Sequence, residues 1–523
     1  MLAVQSSRSA LPAYPFPFVS TPLLFLAVPD SDLLRFLHEV HRLVEATPTL
    51  VALVEADLDA HGKGKKALRL DDAEWVRRQT KTLPHFDETS APNDPEKLVL
   101  AQGRPRTPAY VVLIALMLRG YFGAGFKACD ATTMMQESIT LHVFFANLGM
   151  KMPGCSTLTE LVNALTNETR LRILDAQIEQ VLACGWDNFS AMLQDSTHVE
   201  GNTAWPTDSH TLVALGERVL RVGASLPRLS LPALVTQKAE NHLIAMARLD
   251  REIALAPRTK DRARARRRRY EKLLWRARRV HTVLHEAVVQ VEAALGLLDI
   301  QPSRKAMATR VVGRLRADVD AFVKVISQCH ARVVLETKVP MAEKVLSVSD
   351  PDAGFIAKGQ RVPVIGYKPQ LARSGTGFVT GLLLPHGNAA DSGQLVPMFD
   401  EVVRRTHVTP SVVSVDDGYA SRANMETLRE RNVEVISING AKGRALTARA
   451  DWKSEEYAEA RDLRSAVESL MFTLKQGFDF GYVARRGLEA AHGELLEKAL
   501  AYNICRMLRK RHADDDAAHA DAA

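Results

Sequence analysis

In TPSVVSVDDGYAS, Val412, Val413 and Val415 form a buried-strand pattern that stops on Asp416, Asp417 and Gly418. No other stretch restricts the fold as much. A strand of this kind sits inside a sheet, and the carboxylates at its end are placed at the sheet's rim. FSAMLQDSTHVE repeats the arrangement, a short apolar run ending on Asp195. Each aspartate also has a structural reading, as an N-cap or a turn-forming Asx residue, and Ser196 and Thr197 beside Asp195 suit it.

A third carboxylate stands on a helix. RSAVESLMFTLKQG, residues 464–477, places Val467, Leu470, Met471 and Leu474 at three- and four-residue intervals. At about 100° per residue, Arg464, Glu468 and Lys475 fall within roughly 40° of one another, on a stripe bordering the apolar face. Taken alone, this is an i,i+4 Arg–Glu pair with a chance lysine. Two or three converging carboxylates with open positions instead suit hard divalent ions such as Mg²⁺, and with them phosphodiester chemistry.

The chain has 523 residues, 46% of them hydrophobic. That is enough for a sizeable core and about three domains, and it excludes disorder of the whole. The five cysteines are odd in number and form no CxxC, which suggests neither a disulfide framework nor a zinc site and favours a reducing, intracellular setting. The apolar run Phe16–Val28 is broken by Pro17 and Pro22 and makes a poor signal peptide. Tyr110–Leu118 stops at Arg119, far short of the roughly 20 residues of a membrane span, so no membrane anchor is expected.

The net charge of +7 conceals an asymmetry. Residues 258–279, RTKDRARARRRRYEKLLWRARR, hold twelve Lys or Arg against two acids, which is +10 and leaves −3 for the rest. Such a block, with Arg266, Arg267, Arg268 and Arg269 at its centre, predicts DNA contact through phosphate neutralisation, with Tyr270 and Trp275 as stacking groups. The alternative is a solvated basic helix leading into a helical hairpin, since Leu284, Val288, Val291, Leu295 and Leu298 repeat at 4,3,4,3 spacing.

The N-terminal third is helix-rich, interrupted by a Pro-rich polar connection from about Leu83 to Pro108. Within it, Arg104 and Arg106 suit a narrow minor groove, or GRPRTP simply starts a helix with Thr107 as N-cap and Pro108 in first position. Thr157 and Glu160 form a capping box, and an LTN turn leads into TRLRILDAQIEQVLA, either a helix-turn-helix or plain helical packing. The ending HADDDAAHADAA predicts a frayed tail.

These motifs together resemble the DDE transposases of bacterial insertion sequences, in the branch whose third motif is Tyr-x2-Arg-x3-Glu-x6-Lys. RDLRSAVESLMFTLK, residues 461–475, matches it at Arg464, Glu468 and Lys475 and departs at Arg461, where the family has Tyr. VVSVDDGYAS resembles the family's strand followed by Asp-x-Gly-Tyr, a register that selects Asp416 over Asp417. QDSTHVEGNTAWPTDSHTL resembles its Asp-Ser-Thr strand and Pro-Thr-Asp turn, which makes Asp195 the first ligand and Asp208 an accessory group. The likeness covers roughly residues 186–216 and 345–508.

The resemblance implies an α/β fold: an RNase H-like mixed sheet flanked by helices, with a helical N-terminal region and a helical basic insertion after the first catalytic strand. AKGQRVPVIGYKPQL, GFVTGLLLPHG, VTPSVVSVD and VEVISIN supply strands beside that of Asp195. Only about two dozen residues separate Ile438 from Arg461, so the inserted material lies after the first strand. The expected division is 1–185 helical, with DNA-end binding; 186–218 and 344–510 catalytic; 219–343 the basic insertion; and 511–523 a disordered tail.

The resemblance further implies that Asp195, Asp416 and Glu468 bind two Mg²⁺ or Mn²⁺ ions, that Arg464 and Lys475 hold DNA phosphates with Arg461 beside them, and that the chain cleaves element ends and joins them to target DNA. Its partners are then DNA and further copies of itself, as a dimer or larger multimer, and its location is the bacterial cytoplasm, on the nucleoid. The alternatives are a related nuclease without strand transfer and an inactive DNA-binding relative. His198, His386 and Lys442 lie near the motifs with structural roles expected.

Overall fold

The computed structural model describes residues 31–61, 107–123, 138, 140–141, 144–145, 155–203, 207–234, 236–255, 260–340, 344–357 and 362–521. The readings placed on Phe16–Val28, Arg104 and Arg106 lie outside them.

Among the described residues, nine strands form two sheets. The larger holds β1 (Ala191–Ser196), β5 (Gln370–Ser374), β6 (Val379–Leu383), β7 (Val412–Asp416) and β8 (Val435–Asn439), in the order β6-β5-β1-β7-β8. β1, β7 and β8 run parallel, while β5 pairs antiparallel with both β1 and β6. Alternation along the strands feeds two cores. Leu193 and Leu371 face a core shared with the N-terminal helices and the long C-terminal helix Leu488–Asp521, whereas Met192, Ala372, Val413 and Val415 face the helices Leu395–Thr406 and Arg422–Glu430. Helices thus cover both faces, as the parallel strands of this mixed sheet require. At the β8 edge, the Tyr457 hydroxyl donates to the Ile438 carbonyl (3.1 Å) and accepts from the Ile438 amide (3.2 Å), closing an edge that would otherwise invite pairing.

The second sheet was not foreseen. β2 (Val199–Gly201), β3 (Gly354–Ile356), β4 (Val364–Tyr367) and β9 (Tyr482–Val483) pair in the order β3-β4-β2-β9. The stretch 357–371, expected as one strand, is divided between the sheets, with β4 ending at Tyr367 and β5 starting at Gln370. Pro369 lies at the break; it has no N–H to donate to a ladder, and its carbonyl accepts from the Thr197 amide (3.1 Å).

The basic insertion is a helical bundle with its own core, built by helices Asp208–Gly223, Gln237–Ala254, Lys260–Gly296 and Pro302–Cys329. It begins at Asp208, ahead of the expected boundary at 219, because Leu212, Leu215 and Val219 of the first helix already pack into that core. The arginine-rich block lies on one helix of 37 residues, about 55 Å long. Its Leu284, Val288 and Val291 are buried in the bundle, so the hairpin reading of that spacing holds.

Three further expectations change. The helix expected from Thr107 starts at Ala109, without a side-chain cap. The helix expected from a Thr157 capping box starts at Cys155. Its successor, Asn167–Ala183, capped by Thr166, buries Arg170, Ile173, Leu174, Gln177 and Ile178, which favours plain packing over a groove-reading helix. The tail is helical to Asp521, where an alanine-rich sequence of high helix propensity continues a helix held by Arg511 on Glu39 (2.8 Å) and by Trp186 donating to Asp514 (2.6 Å). Among the described residues no helix is long and apolar enough to cross a membrane.

Candidate active site

Ala191, Met192 and Leu193 of β1 pair in parallel with Val412, Val413 and Ser414 of β7. Asp195 and Asp416 each stand two residues past the last pair of this ladder, so continuing the register brings them to the same end of neighbouring strands, and both carboxylates act on the Tyr419 phenol. From β1 the chain moves outward to β5 and β6, then crosses back to β7 on the other side. The order of the sheet therefore reverses between β1 and β7. In open α/β sheets a ligand crevice forms at the carboxyl ends of the strands flanking such a reversal, and both aspartates occupy those ends.

Asp195 accepts a hydrogen bond from the Ser196 amide (2.6 Å), and Asp416 accepts from the Gly418 amide (2.9 Å) in a turn that follows β7. Its neighbour points elsewhere. Asp417 accepts from the Gly443 amide (2.9 Å) near the start of helix Ala441–Leu446. Gly440, at φ +144°, makes room for this carboxylate, since a Cβ there would stand 2.4 Å from Asp417 Cγ. Gly440→Ala is accordingly expected to displace Asp417 and cost about 1–3 kcal/mol, read as a drop in the thermal midpoint.

Glu468 lies on the helix Ser465–Gly477, whose Val467, Leu470, Met471 and Leu474 share a core with Leu193. Residues 193 and 195 face the same way along β1, so this helix covers the face on which the aspartates project. The Glu468 side chain is 62% exposed and accepts from Arg464 Nη1 (3.0 Å). The i,i+4 pair of the plain reading is therefore formed. Glu468 lines a cavity of about 710 Å³ with Asn439, Gly440, Arg444, Trp452, Arg461 and Arg464. Asn439 is the residue of β8 paired with Asp416, which places the cavity next to the aspartates. Lys475 donates to the His198 carbonyl (3.2 Å), so that end of the motif braces the segment joining β1 to β2.

Among the described residues no three His, Cys, Asp or Glu side chains are grouped to hold a metal ion. The structure pairs Asp195 with Asp416 and leaves Glu468 on Arg464. Uncompensated carboxylates repel one another, whereas a guanidinium beside one of them favours its charge. The donor chemistry nevertheless suits a hard divalent ion: two adjacent carboxylates, and a Gly418 cradle where a Cβ would meet Asp416 Oδ1 at 3.0 Å and Asp391 Oδ2 at 3.3 Å.

Asp391 was missed in the sequence, where HGNAADSGQ looks like an ordinary loop. It is bound by Lys368 Nζ (2.9 Å) and Gln370 Nε2 (2.8 Å). Burial works against its ionisation, but hydrogen bonds from Lys368, Gln370 and Ser196 and the Lys368 charge prevail and hold it below the usual range. The buried Tyr419 hydroxyl donates to Gln370, and Asn424 Nδ2 donates to the Tyr419 carbonyl (3.0 Å), pinning the turn after Asp416. Burial, followed by the charges of Asp391, Asp195 and Asp416, pushes the Tyr419 phenol far up, so it stays protonated. The Tyr in the Asp-x-Gly-Tyr pattern was the available signal for this network.

Asp208 is not part of the site. It is buried and bound by Gln328 (2.8 Å) and Arg332 (2.8 Å) inside the bundle. His386 is exposed, 3.9 Å from Asp352.

These features define a mixed α/β protein with paired aspartates at the reversal point of a five-stranded sheet. Residues 337–504, about a third of the chain, match the family model of the transposase DDE domain. The match spans β3 to the long C-terminal helix and includes Asp416 and Glu468; Asp195 precedes it, on the far side of the helical insertion. No curated protein and no solved structure matches the chain.

Proposed function

We propose that this chain is a transposase of an insertion sequence, of the Tyr-Arg-Glu-Lys branch, that cuts DNA at the element's ends and joins the freed 3′ ends to target DNA. The observation that carries the reading is the register placing Asp195 beside Asp416 at the sheet's reversal point. The order β6-β5-β1-β7-β8, with β5 and β6 as an antiparallel hairpin beside parallel β1, β7 and β8, supports the RNase H-like description.

Asp195 and Asp416, together with Glu468 if Arg464 released it, would hold divalent cations, Mg²⁺ or Mn²⁺. Bound there, such ions would supply Lewis acidity for activating the nucleophile and neutralising the leaving 3′ oxygen. Arg464 then turns to a DNA phosphate as a fork, with Arg461 and Lys475 as flanking charges. The Lys368–Asp391–Gln370–Tyr419 network keeps the turn after Asp416 rigid, so that this carboxylate does not relax away from Asp195. The chain works on DNA as a dimer or larger multimer.

The test is an assay of end-containing duplex with purified chain and Mg²⁺. Cleavage followed by joining supports the proposal. Cleavage without joining moves the chain to the nuclease alternative, and binding without either leaves a DNA-binding relative.

The arginine block supports the DNA reading in a second way. Arg266 and Arg268 are exposed; Arg267 and Arg269 pair with Glu271 (3.3 Å) and Glu252 (3.2 Å), exposed ion pairs worth little in water. Replacing all four with Ala is expected to weaken binding to every duplex alike and to flatten the salt dependence by about 0.9 for each phosphate that is no longer neutralised. An unchanged slope in anisotropy titrations leaves only a solvated helix.

A further inference from the structure

The bundle meets the segments before β3 and after β9 at a cleft of about 450 Å³ that no motif had marked. Four guanidiniums from three separate elements line it: Arg218 and Arg221 on helix Asp208–Gly223, Arg314 on helix Pro302–Cys329, and Arg486 in the segment after β9. Arg218 is structural. It pairs with Asp318 (2.9 Å) and donates to the Val348 carbonyl, riveting the bundle to the segment that leads into β3. Arg486 donates to the Asn202 carbonyl (3.1 Å), just after β2.

Arg221, Arg314 and Arg486 are exposed and make no ion pair among the described residues. Glu217 is the acidic side chain in the lining, and Asp318, near Arg314, is already engaged by Arg218. The cleft therefore carries an excess of positive charge on three elements, anchored at Arg218 and Arg486, and planar guanidiniums match phosphate oxygens. Its location selects the ligand. β2 follows Asp195 after three residues and pairs with β9, which leads directly to Arg486. The small sheet thus links the strand of Asp195 to Arg486 of the cleft, and a polymer with regularly repeated phosphates is the ligand that could contact both.

We infer that the cleft binds the phosphodiester backbone of duplex DNA flanking the cut site. This inference rests on the transposase reading. It assigns to the seam of the insertion a part in holding DNA that is separate from the arginine block of residues 258–279.

The experiment compares the full chain with R221A/R314A/R486A and R221K/R314K/R486K in anisotropy titrations of a fluorescent duplex across a salt series, with thermal melts to check folding. The alanine variant is expected to bind at least tenfold more weakly and to lose about 2–3 from the salt slope, near 0.9 for each phosphate released. The lysine variant, which keeps the charge, is expected to retain most of the slope. Wild-type slope in the alanine variant overturns the inference, as does equal loss in the lysine variant, which marks a structural role. Calorimetric binding of inorganic phosphate that the alanine variant loses, with its DNA slope unchanged, makes the cleft a small-anion site and also overturns it. Absence of any DNA binding by the wild type instead removes the transposase reading on which it rests.

Discussion

Asp195→Asn, Asp416→Asn and Glu468→Gln are each expected to lower Mg²⁺-dependent cleavage and joining by more than about a hundredfold, while end binding stays within about twofold. Glu468 gives the sharpest test. Its side chain is exposed and pairs with Arg464 a turn away, an interaction worth about 0–1 kcal/mol. A purely structural role therefore predicts almost no effect, and a catalytic role predicts near-complete loss without a change in folding. Asp417→Asn serves as the internal control. Its carboxylate oxygen accepts from the Gly443 amide, a hydrogen bond that an asparagine carbonyl can also accept, so measurable activity is expected to remain. Wild-type cleavage by Glu468→Gln, measured beside a gel shift of the same proteins, removes this helix from the chemistry.

The second large effect concerns folding. Glu497, on the long C-terminal helix, is fully buried and receives Arg119 through both carboxylate oxygens (2.7 and 2.8 Å), Arg170 (2.8 Å) and Arg485. These cations come from helices Ala109–Phe122 and Asn167–Ala183 and from the segment after β9, so one carboxylate ties the N-terminal helices to the segment after β9 and the long C-terminal helix. Glu497→Gln leaves buried guanidiniums without a counter-charge and is expected to cost about 3–5 kcal/mol in urea or thermal unfolding. Burial opposes ionisation of Glu497, but Arg119, Arg485 and Arg170 outweigh it and hold the carboxyl well below its usual range. A depressed folded-state value stabilises the fold above the unfolded glutamate value of about 4.3 and loses that contribution as pH falls below it. The wild type should thus lose stability between neutral pH and pH 3 more steeply than Glu497→Gln.

Arg119 was visible in the sequence only as the charge ending an apolar run, and Glu497 carried no signal, because two of its three arginine partners stand 378 and 327 residues away along the chain and the third, Arg485, lies before the start of its helix. The same holds for Asp391: a loop aspartate looks like a turn former until Lys368 and Gln370 are brought to it. Short-range patterns fared differently. The β7 valines, the 4,3,4,3 repeat of the insertion and the apolar stripe of the Glu468 helix each specify one element, since burial of a periodic face needs no knowledge of its partner. The small sheet stayed hidden because its strands are two to four residues long and too brief to show a period.

By itself the sequence determined the local identities: a strand ending on Asp416, an apolar run ending on Asp195, a helix carrying Glu468 between Arg464 and Lys475, and a basic helical insertion. Only the tertiary structure decided how these meet. Parallel register put Asp195 beside Asp416, the Gly440 and Gly443 backbone drew Asp417 away, and Arg464 kept Glu468 at the cavity wall. The physical reason is that periodicity and capping act within a few residues, whereas register, ion pairing and the direction of a carboxylate depend on groups that folding brings together from distant parts of the chain.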